Sequence, residues 1–273
     1  MRIGKKGVEV RRPMVMGILN VTPDSFSDGG RYLSGNALEH ALEMIDQGAD
    51  IIDIGGESTR PGSDPVSSEI EMERIVPVIR ELSSVSDILI SVDTMKPDVA
   101  YAALDAGADI VNDVNGLRTE GMMDVVSSAG VPAIVMHMKG VPKTMQTEPM
   151  EGHVTGAIAR FLKERYDDAL DHGIRDVILD PGIGFGKTSE QNMEIVDNAS
   201  AFSFGCPVLI GASRKRFLSE LFPQRDRDDM TVEISLRALD AGADIVRVHD
   251  VGRMVSALAD HPDHHTSNQY RDQ

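Results

Sequence analysis

The sequence has no tryptophan, and aromatic residues make up only 4% of its 273 positions. Its core must therefore rest on Val, Ile, Leu, Met and Ala. Cysteine is nearly missing too. The one present, Cys206, has no partner in the chain for a disulfide, which points to a reducing compartment; it reads as a small core or loop residue, not a nucleophile. No apolar run approaches the roughly 20 residues that span a bilayer. The opening Met1-Arg2-Ile3-Gly4-Lys5-Lys6 is basic, but the apolar stretch of a signal peptide does not follow it. Positive charge is scarce: 27 Lys and Arg stand against 44 Asp and Glu, a net charge of −17. That balance argues against nucleic acid and against an anionic membrane as partner. A cytoplasmic protein is expected. The few basic residues near strand ends become more informative, because an anionic substrate needs a positive potential that the rest of the chain does not supply.

What the chain does have is alternation. Short, nearly continuous apolar runs fall at Met14–Leu19, Ile51–Ile54, Ile88–Val92, Ile110–Asp113, Ala133–Met136, Val177–Leu179, Val208–Ile210 and Ile245–Val248. Runs without polar alternation are the pattern of parallel strands covered on both faces. Helical periodicity fills the gaps: Ala37–Gln47, Ser68–Ser83, Pro97–Ala106, Met122–Ala129, Thr155–His172, Ser189–Asn198, Val232–Ala241 and Gly252–Ala259. One junction recurs, as Gly48-Ala49-Asp50, Gly107-Ala108-Asp109 and Gly242-Ala243-Asp244. Its Gly suits a left-handed cap closing a helix before the next strand. Eight strand–helix pairs with a repeated junction favour one α/β domain, a single (β/α)8 TIM barrel over residues 1–260, over an open doubly wound sheet. Residues 1–12 are expected to form a short hairpin across the barrel bottom. Residues 261–273 are polar and aperiodic, and their histidines read as a solvated tail.

In such a barrel the active site lies at the C-terminal ends of the strands. Polar groups collect there: Asn20, Asp53, Asp93, Asn112-Asp113, His137, Asp180, Ser213-Arg214-Lys215, then Arg247 and His249. Each could instead cap the helix that follows, but a full ring of them suggests an open mouth. Two loops, Asn20–Gly30 and Gly55–Gly62, are rich in Gly, Ser, Thr and Pro, and the second carries Thr59 and Arg60, suited to a phosphate or carboxylate. The Gly-rich Asp180–Lys187 run lacks the spacing of a dinucleotide fingerprint. Asp180 is better read as an acceptor for a heterocycle with an amidine-like edge. Met136 and Phe185 could cover a ring face, and Asp93 and Asn112 could add polar contacts. Arg247 and His249, two apart on a strand, form with Asn20 a candidate anion site, and the Asn20 amide oxygen could bind Mg2+ carried by a diphosphate.

Taken in order, Met16–Gly30, Ile54–Gly62, Ser91–Thr94, Asn112–Gly116, Met136–Gly140, Asp180–Lys187, Gly211–Phe217 and Arg247–Asp250 closely resemble the dihydropteroate synthase family. The resemblance implies a transferase of folate biosynthesis. It would join 6-hydroxymethyl-7,8-dihydropterin diphosphate to p-aminobenzoate, giving 7,8-dihydropteroate and diphosphate by a dissociative, SN1-like route. It implies that Asp93, Asn112, Asp180 and Lys215 hold the pterin edge, with Met136 and Phe185 against the ring. Asn20, Thr59, Arg247 and His249 would hold diphosphate, with Mg2+ on Asn20. Phe26, Thr59, Arg60, Pro61, Ser213 and Arg214 would surround p-aminobenzoate, and Asp28, Phe26, Lys215 and Arg247 would carry the chemistry. A homodimer is implied as well. The sequence departs from the family at Glu148–Gly152, which lacks a Pro-x-Tyr-x-Asp run, and in a condensed segment from Phe217 to Thr231. Two alternatives stand beside this: a non-catalytic pterin-binding paralogue, and the pterin domain of a methyltetrahydrofolate–corrinoid methyltransferase.

Overall fold

The computed structural model describes residues 2–3, 8–9, 13–22, 33–58, 62–140, 143–145 and 147–261. A two-stranded antiparallel ribbon, β1 (Arg2–Ile3) and β2 (Val8–Glu9), opens the chain. Eight parallel strands follow: β3 (Met14–Asn20), β4 (Ile51–Gly55), β5 (Leu89–Asp93), β6 (Ile110–Asp113), β7 (Ala133–Met136), β8 (Val177–Asp180), β9 (Leu209–Ile210) and β10 (Ile245–Val248). From β3 to β8 each strand pairs with the next in sequence, and β10 pairs with both β3 and β9. A bridge between Leu179 and Val208 joins β8 to the segment leading into β9. The product is a nearly closed (β/α)8 barrel, the alternative that the alternation of runs favours over an open sheet. Outside it lie α1 (Leu33–Asp46), α2 (Ser68–Val85), α3 (Pro97–Ala106), α4 (Met122–Ala129), α5 (Thr155–Asp171), α6 (Ser189–Asp197), α7 (Arg216–Leu221), α8 (Arg227–Asp240) and α9 (Val251–Asp260). Among the described residues no helix is long and apolar enough to cross a membrane.

The strands are apolar on both faces because both faces are covered. Met14, Met16, Ile51, Leu89, Ile110, Ile134, Ile178, Leu209 and Ile245 form one buried cluster drawn from every strand of the barrel. This aliphatic plug fills the interior beneath the mouth, without an aromatic residue. Alternate residues such as Val15, Ile52, Ile90, Val111 and Val246 join the larger cluster that packs against the helices.

The repeated junction does more than cap helices. Gly48, Gly107 and Gly242 all have positive φ, at 100°, 118° and 109°, so the left-handed cap is real. The Asp that follows reaches sideways: Asp50 accepts the N–H of Val15 at 2.8 Å, Asp109 that of Ile90 at 3.1 Å, and Asp244 that of Val208 at 2.9 Å. Each carboxylate thus satisfies an N–H at or beside the start of the neighbouring strand. Three helices differ most from the sequence expectation. α1 begins at Leu33, ahead of Ala37; α8 begins at Arg227, ahead of Val232, because Asp226 accepts the N–H groups of Asp228 and Asp229; and α7, which the sequence does not announce, lies at the start of the segment that reads as condensed.

Candidate active site

The eight-strand arrangement brings Gly55, Asp93 and Asn112 into one cross-strand row. Beneath them lies Asp53, fully buried. One oxygen of Asp53, Oδ2, accepts from Asn112 Nδ2 at 3.1 Å and from Arg247 Nε at 2.6 Å. Arg247 Nη2 donates to Asp93 Oδ2 at 2.9 Å. A single guanidinium from β10 therefore links two carboxylates from β4 and β5. The other oxygens, Asp53 Oδ1 and Asp93 Oδ1, are buried and accept no hydrogen bond. Such acceptors are costly unless a ligand supplies donors. Burial pushes the Asp93 carboxyl up to about 7; Arg247 pulls it down, and Asp53 adds to the rise.

Asp180, at the end of β8, is buried and accepts the N–H of Gly182 at 2.7 Å. Burial raises its pKa, while Lys215, Lys187 and Arg247 act against the rise. Lys215 arrives from the loop after β9; it donates to the Ile183 carbonyl, and its Nζ stands 4.6 Å from the centre of the Phe185 ring. Burial lowers its pKa to about 8, with Asp180 opposing. Phe185 and Met136 join Val114, Met138 and Met145 in an apolar cluster separate from the main core, with Met95 packed against it. The segment after β8 can lie this close to β7 only because residue 182 is glycine: a Cβ there would fall 1.9 Å from the His137 carbonyl oxygen, at a φ of +70°. The residues expected at the pterin edge or ring all lie at the ends of β5 to β8 or in the loops after β8 and β9: Asp93 pairs with Asn112, Met136 with Asp180, and Lys215 stands over Phe185.

Ser213 and His249 form a second unit. The Ser213 hydroxyl accepts the His249 backbone N–H at 3.1 Å and lies 2.9 Å from His249 Nδ1. With the hydroxyl donating to Nδ1, a neutral His249 carries its proton on Nε2. Arg214 is elsewhere. Its guanidinium makes two bonds to Asp228, at 2.7 and 2.9 Å, and its side chain is 47% exposed, so the structure ties it to α8, apart from the carboxylate row. Asn20 is half-buried at the end of β3, beside Gly55. Phe26, Asp28, Thr59, Arg60 and Pro61 lie outside the described residues.

Not every strand-end polar group serves the mouth. Asp113 accepts the N–H groups of Asn115 and Leu117 at 2.7 and 2.9 Å, so it closes the turn after β6. His137 packs edge-on against Phe161 of α5 at 5.0 Å, and burial pushes its pKa down to about 3. The suggested ring of mouth groups is therefore incomplete: these two support the wall. Two features had no sequence signal. Lys96 bonds Glu57 at 2.6 Å and Glu71 at 2.5 Å, while Glu57 also accepts the Val66 N–H at 3.0 Å; this bonding braces the segment after β4 against α2. Lys187 is buried among carbonyl oxygens. The departing stretch near residue 150 packs on the same segment, Met150 donating to the Gly186 carbonyl at 2.9 Å.

Residues 16–249 match the family model described as "Pterin binding enzyme". The chain belongs to the dihydropteroate synthase family of pterin-binding enzymes. It is 45% identical over 252 residues to the dihydropteroate synthase of Synechocystis, covering 89% of this chain and 87% of that protein. Among solved structures, the Xanthomonas albilineans dihydropteroate synthase with 4-aminobenzoic acid superposes with a TM-score of 0.87 at 42% identity, covering 94% and 95% of the two chains. A structure of the enzyme from the same organism in complex with 7,8-dihydropteroate gives a TM-score of 0.84 at 39% identity, covering 94% and 96%. Membership makes the chain a transferase.

Proposed function

We propose that this enzyme condenses 6-hydroxymethyl-7,8-dihydropterin diphosphate with p-aminobenzoate, releasing 7,8-dihydropteroate and diphosphate. The observation that carries this is the set of strand-end groups: the paired Asp93 and Asn112, Asp180 paired with Met136, Met136 and Phe185 in one apolar cluster, Lys215 over the Phe185 ring, and Arg247 bonded to Asp93. An amidine-like edge brings N–H donors, and this set supplies carboxylates, one with an oxygen still unpartnered. Arg247 spends one N–H on each of two aspartates, and its remaining N–H groups can turn to an anion.

The reaction follows from that division. The bond between the pterin methylene carbon and the diphosphate oxygen breaks, and the electron pair leaves with diphosphate. Arg247 and His249 stabilise the charge that gathers there. The methylene cation is conjugated with a pterin held by Asp180, Asp93 and Asn112, and Asp28 and Phe26 are assigned to it by family likeness. The p-aminobenzoate nitrogen then forms the new bond and loses a proton. Thr59, Arg60, Pro61, Ser213 and Arg214 are assigned to that substrate on the same ground. No nucleophile–base pair is needed.

Among the described residues no group of three or more His, Cys, Asp or Glu could hold a metal. Asn20 offers one oxygen at the rim, which suits Mg2+ that takes its other ligands from diphosphate and water, and does not suit an all-protein metal site. When bound, such an ion would neutralise charge on the leaving group. The reading includes a cytoplasmic homodimer. A diphosphate-release assay with and without p-aminobenzoate tests it. Release that depends on p-aminobenzoate is the expected result. Pterin binding without release would establish a non-catalytic paralogue, and methyl transfer from methyltetrahydrofolate would establish the methyltransferase class; either overturns the proposal.

A further inference from the structure

Lys187 is placed at a cost. It is 3% exposed, and among the described residues no carboxylate lies in salt-bridge contact with it. Its Nζ donates instead to carbonyl oxygens: Gly182 at 2.7 Å, Phe185 at 3.0 Å and, more loosely, His137 at 3.4 Å. A buried ammonium without a contacting carboxylate is expensive, and an apolar side chain would fill the space without that penalty. Three acceptors around one nitrogen fit the ammonium form. A neutral amine would turn its lone pair toward a carbonyl oxygen.

The cage has two geometric effects. Two of its oxygens belong to the segment after β8, and the third to the end of β7, so Lys187 clamps that segment onto its neighbour. The clamped segment begins at Asp180 and carries Phe185. We propose that Lys187 is a positioning residue for the pterin site, folding the 180–187 segment onto β7 and holding Asp180 as a carboxylate without touching the substrate. This rests on the pterin reading of Asp180 given above.

The electrostatics agree. Asp180 is faced by Lys215 from the loop after β9, by Arg247 from β10 and by Lys187, and each lowers a pKa that burial raises. Burial pushes the Lys187 ammonium well below the usual lysine range; Asp180 opposes this and Lys215 adds to it. His137 of β7 faces Lys187 as a neutral imidazole, with Arg118 from the loop after β6 also acting on it. Asp93, raised to about 7, titrates in the same site, so only the difference between Lys187 variants and the parent is diagnostic.

The test uses Lys187→Gln, which keeps hydrogen-bond donors and drops the charge. Calorimetric binding of 6-hydroxymethylpterin is measured from about pH 5.5 to 8.5, spanning the range of a raised carboxylate. The variant should lose about tenfold or more in affinity at the acid end, one unit of pKa being tenfold, and converge on the parent at the alkaline end as Asp180 ionises. Profiles that run parallel, or a loss that grows with pH, would overturn the proposal, because a purely structural clamp fails equally at every pH. A second measurement needs no variant at Lys187 and no ligand: the lysine 15Nζ resonance, titrated in the parent and in Asp180→Asn. Lys187 should be protonated at neutral pH and lose its proton at lower pH in Asp180→Asn. A neutral Lys187 at pH 7, or a titration indifferent to residue 180, refutes the coupling. Failure of the parent to bind the pterin at any pH would sink the functional reading, while this NMR arm would still decide the Lys187–Asp180 coupling.

Discussion

Asp53 is the residue on which the polar row depends, and its removal is the most informative perturbation. The side chain is 0% exposed and its partner Arg247 is 19% exposed. Asp53→Ala deletes the one acceptor shared by Arg247 Nε and Asn112 Nδ2, leaving a largely buried guanidinium held only by Asp93. Breaking one side of a buried ion pair costs about 3–5 kcal/mol. In a domain of this length each kcal/mol moves the melting temperature by roughly 2–4 °C, so a fall of roughly 6–20 °C is expected. Asp53→Asn keeps the shape and one acceptor oxygen but drops the charge, and should cost about 1–3 kcal/mol. The assay is urea denaturation, with a double-mutant cycle between Asp53→Ala and Arg247→Met. Because the residues touch, the cycle should be non-additive by about 0.5–3 kcal/mol. If Asp53→Ala costs less than about 1 kcal/mol, and Arg247→Met costs the same in both backgrounds, the row is not organised around Asp53 and the reasoning is wrong.

Asp180→Ala should weaken binding of a pterin by about 2 kcal/mol or more, read by calorimetry, and unchanged affinity would remove Asp180 from the edge. Ser213→Ala frees the His249 imidazole to rotate and change tautomer; kcat should fall about tenfold, below the roughly 10²–10⁴-fold of a positioned acid or base because His249 itself stays, with the Michaelis constant for the pterin substrate little changed, and a loss confined to p-aminobenzoate affinity would place Ser213 in that subsite instead. Asp93 titrates near 7 and Asp113 near 6, both above the unfolded value of about 4. The folded state therefore holds protons that the unfolded chain has lost, and these groups make stability fall as pH rises from about 4 to about 7; denaturation curves of Asp93→Asn should lose the upper part of that slope, and an unaltered slope would show that Asp93 does not titrate there. Diphosphate release should need a divalent ion, so full activity in excess chelator would strip Asn20 of its metal role.

The fold was legible because it is written locally. Uninterrupted runs such as Ala133–Met136 announce buried parallel strands, and the repeated Gly-Ala-Asp fixes where helices end. The Asp of that repeat carried a second meaning that the sequence hid, since its partner is a strand-start N–H about 20 to 36 residues away in Asp109–Ile90, Asp50–Val15 and Asp244–Val208. The same limit governs the site. Strand-end polar groups could be found one by one, but not which would pair: Asp113 turns back on its own loop, His137 faces α5, and Arg214 is drawn to Asp228. Asp53 sits mid-strand among apolar residues, and only its contacts with Asn112, 59 positions later, and Arg247, 194 positions later, give it a role. Lys187 reads as one more basic residue in a Gly-rich run until the carbonyls around it are seen.

The thinnest part of the barrel runs between β8 and β9, where one bridge, Leu179 to Val208, and the Leu179 N–H to the Pro207 carbonyl at 2.9 Å do the joining. Asp180 ends one side of that seam, Ser213 and Lys215 follow the other, and Lys215 crosses it to the Ile183 carbonyl. A ligand held by Asp180 and Lys215 together is therefore also a staple for the ring. Binding and barrel closure draw on one free energy, each tightening the other. Substrate occupancy should therefore slow amide exchange at Leu179 and Leu209 more than at Ile52, deep in the continuous ladder on the far side.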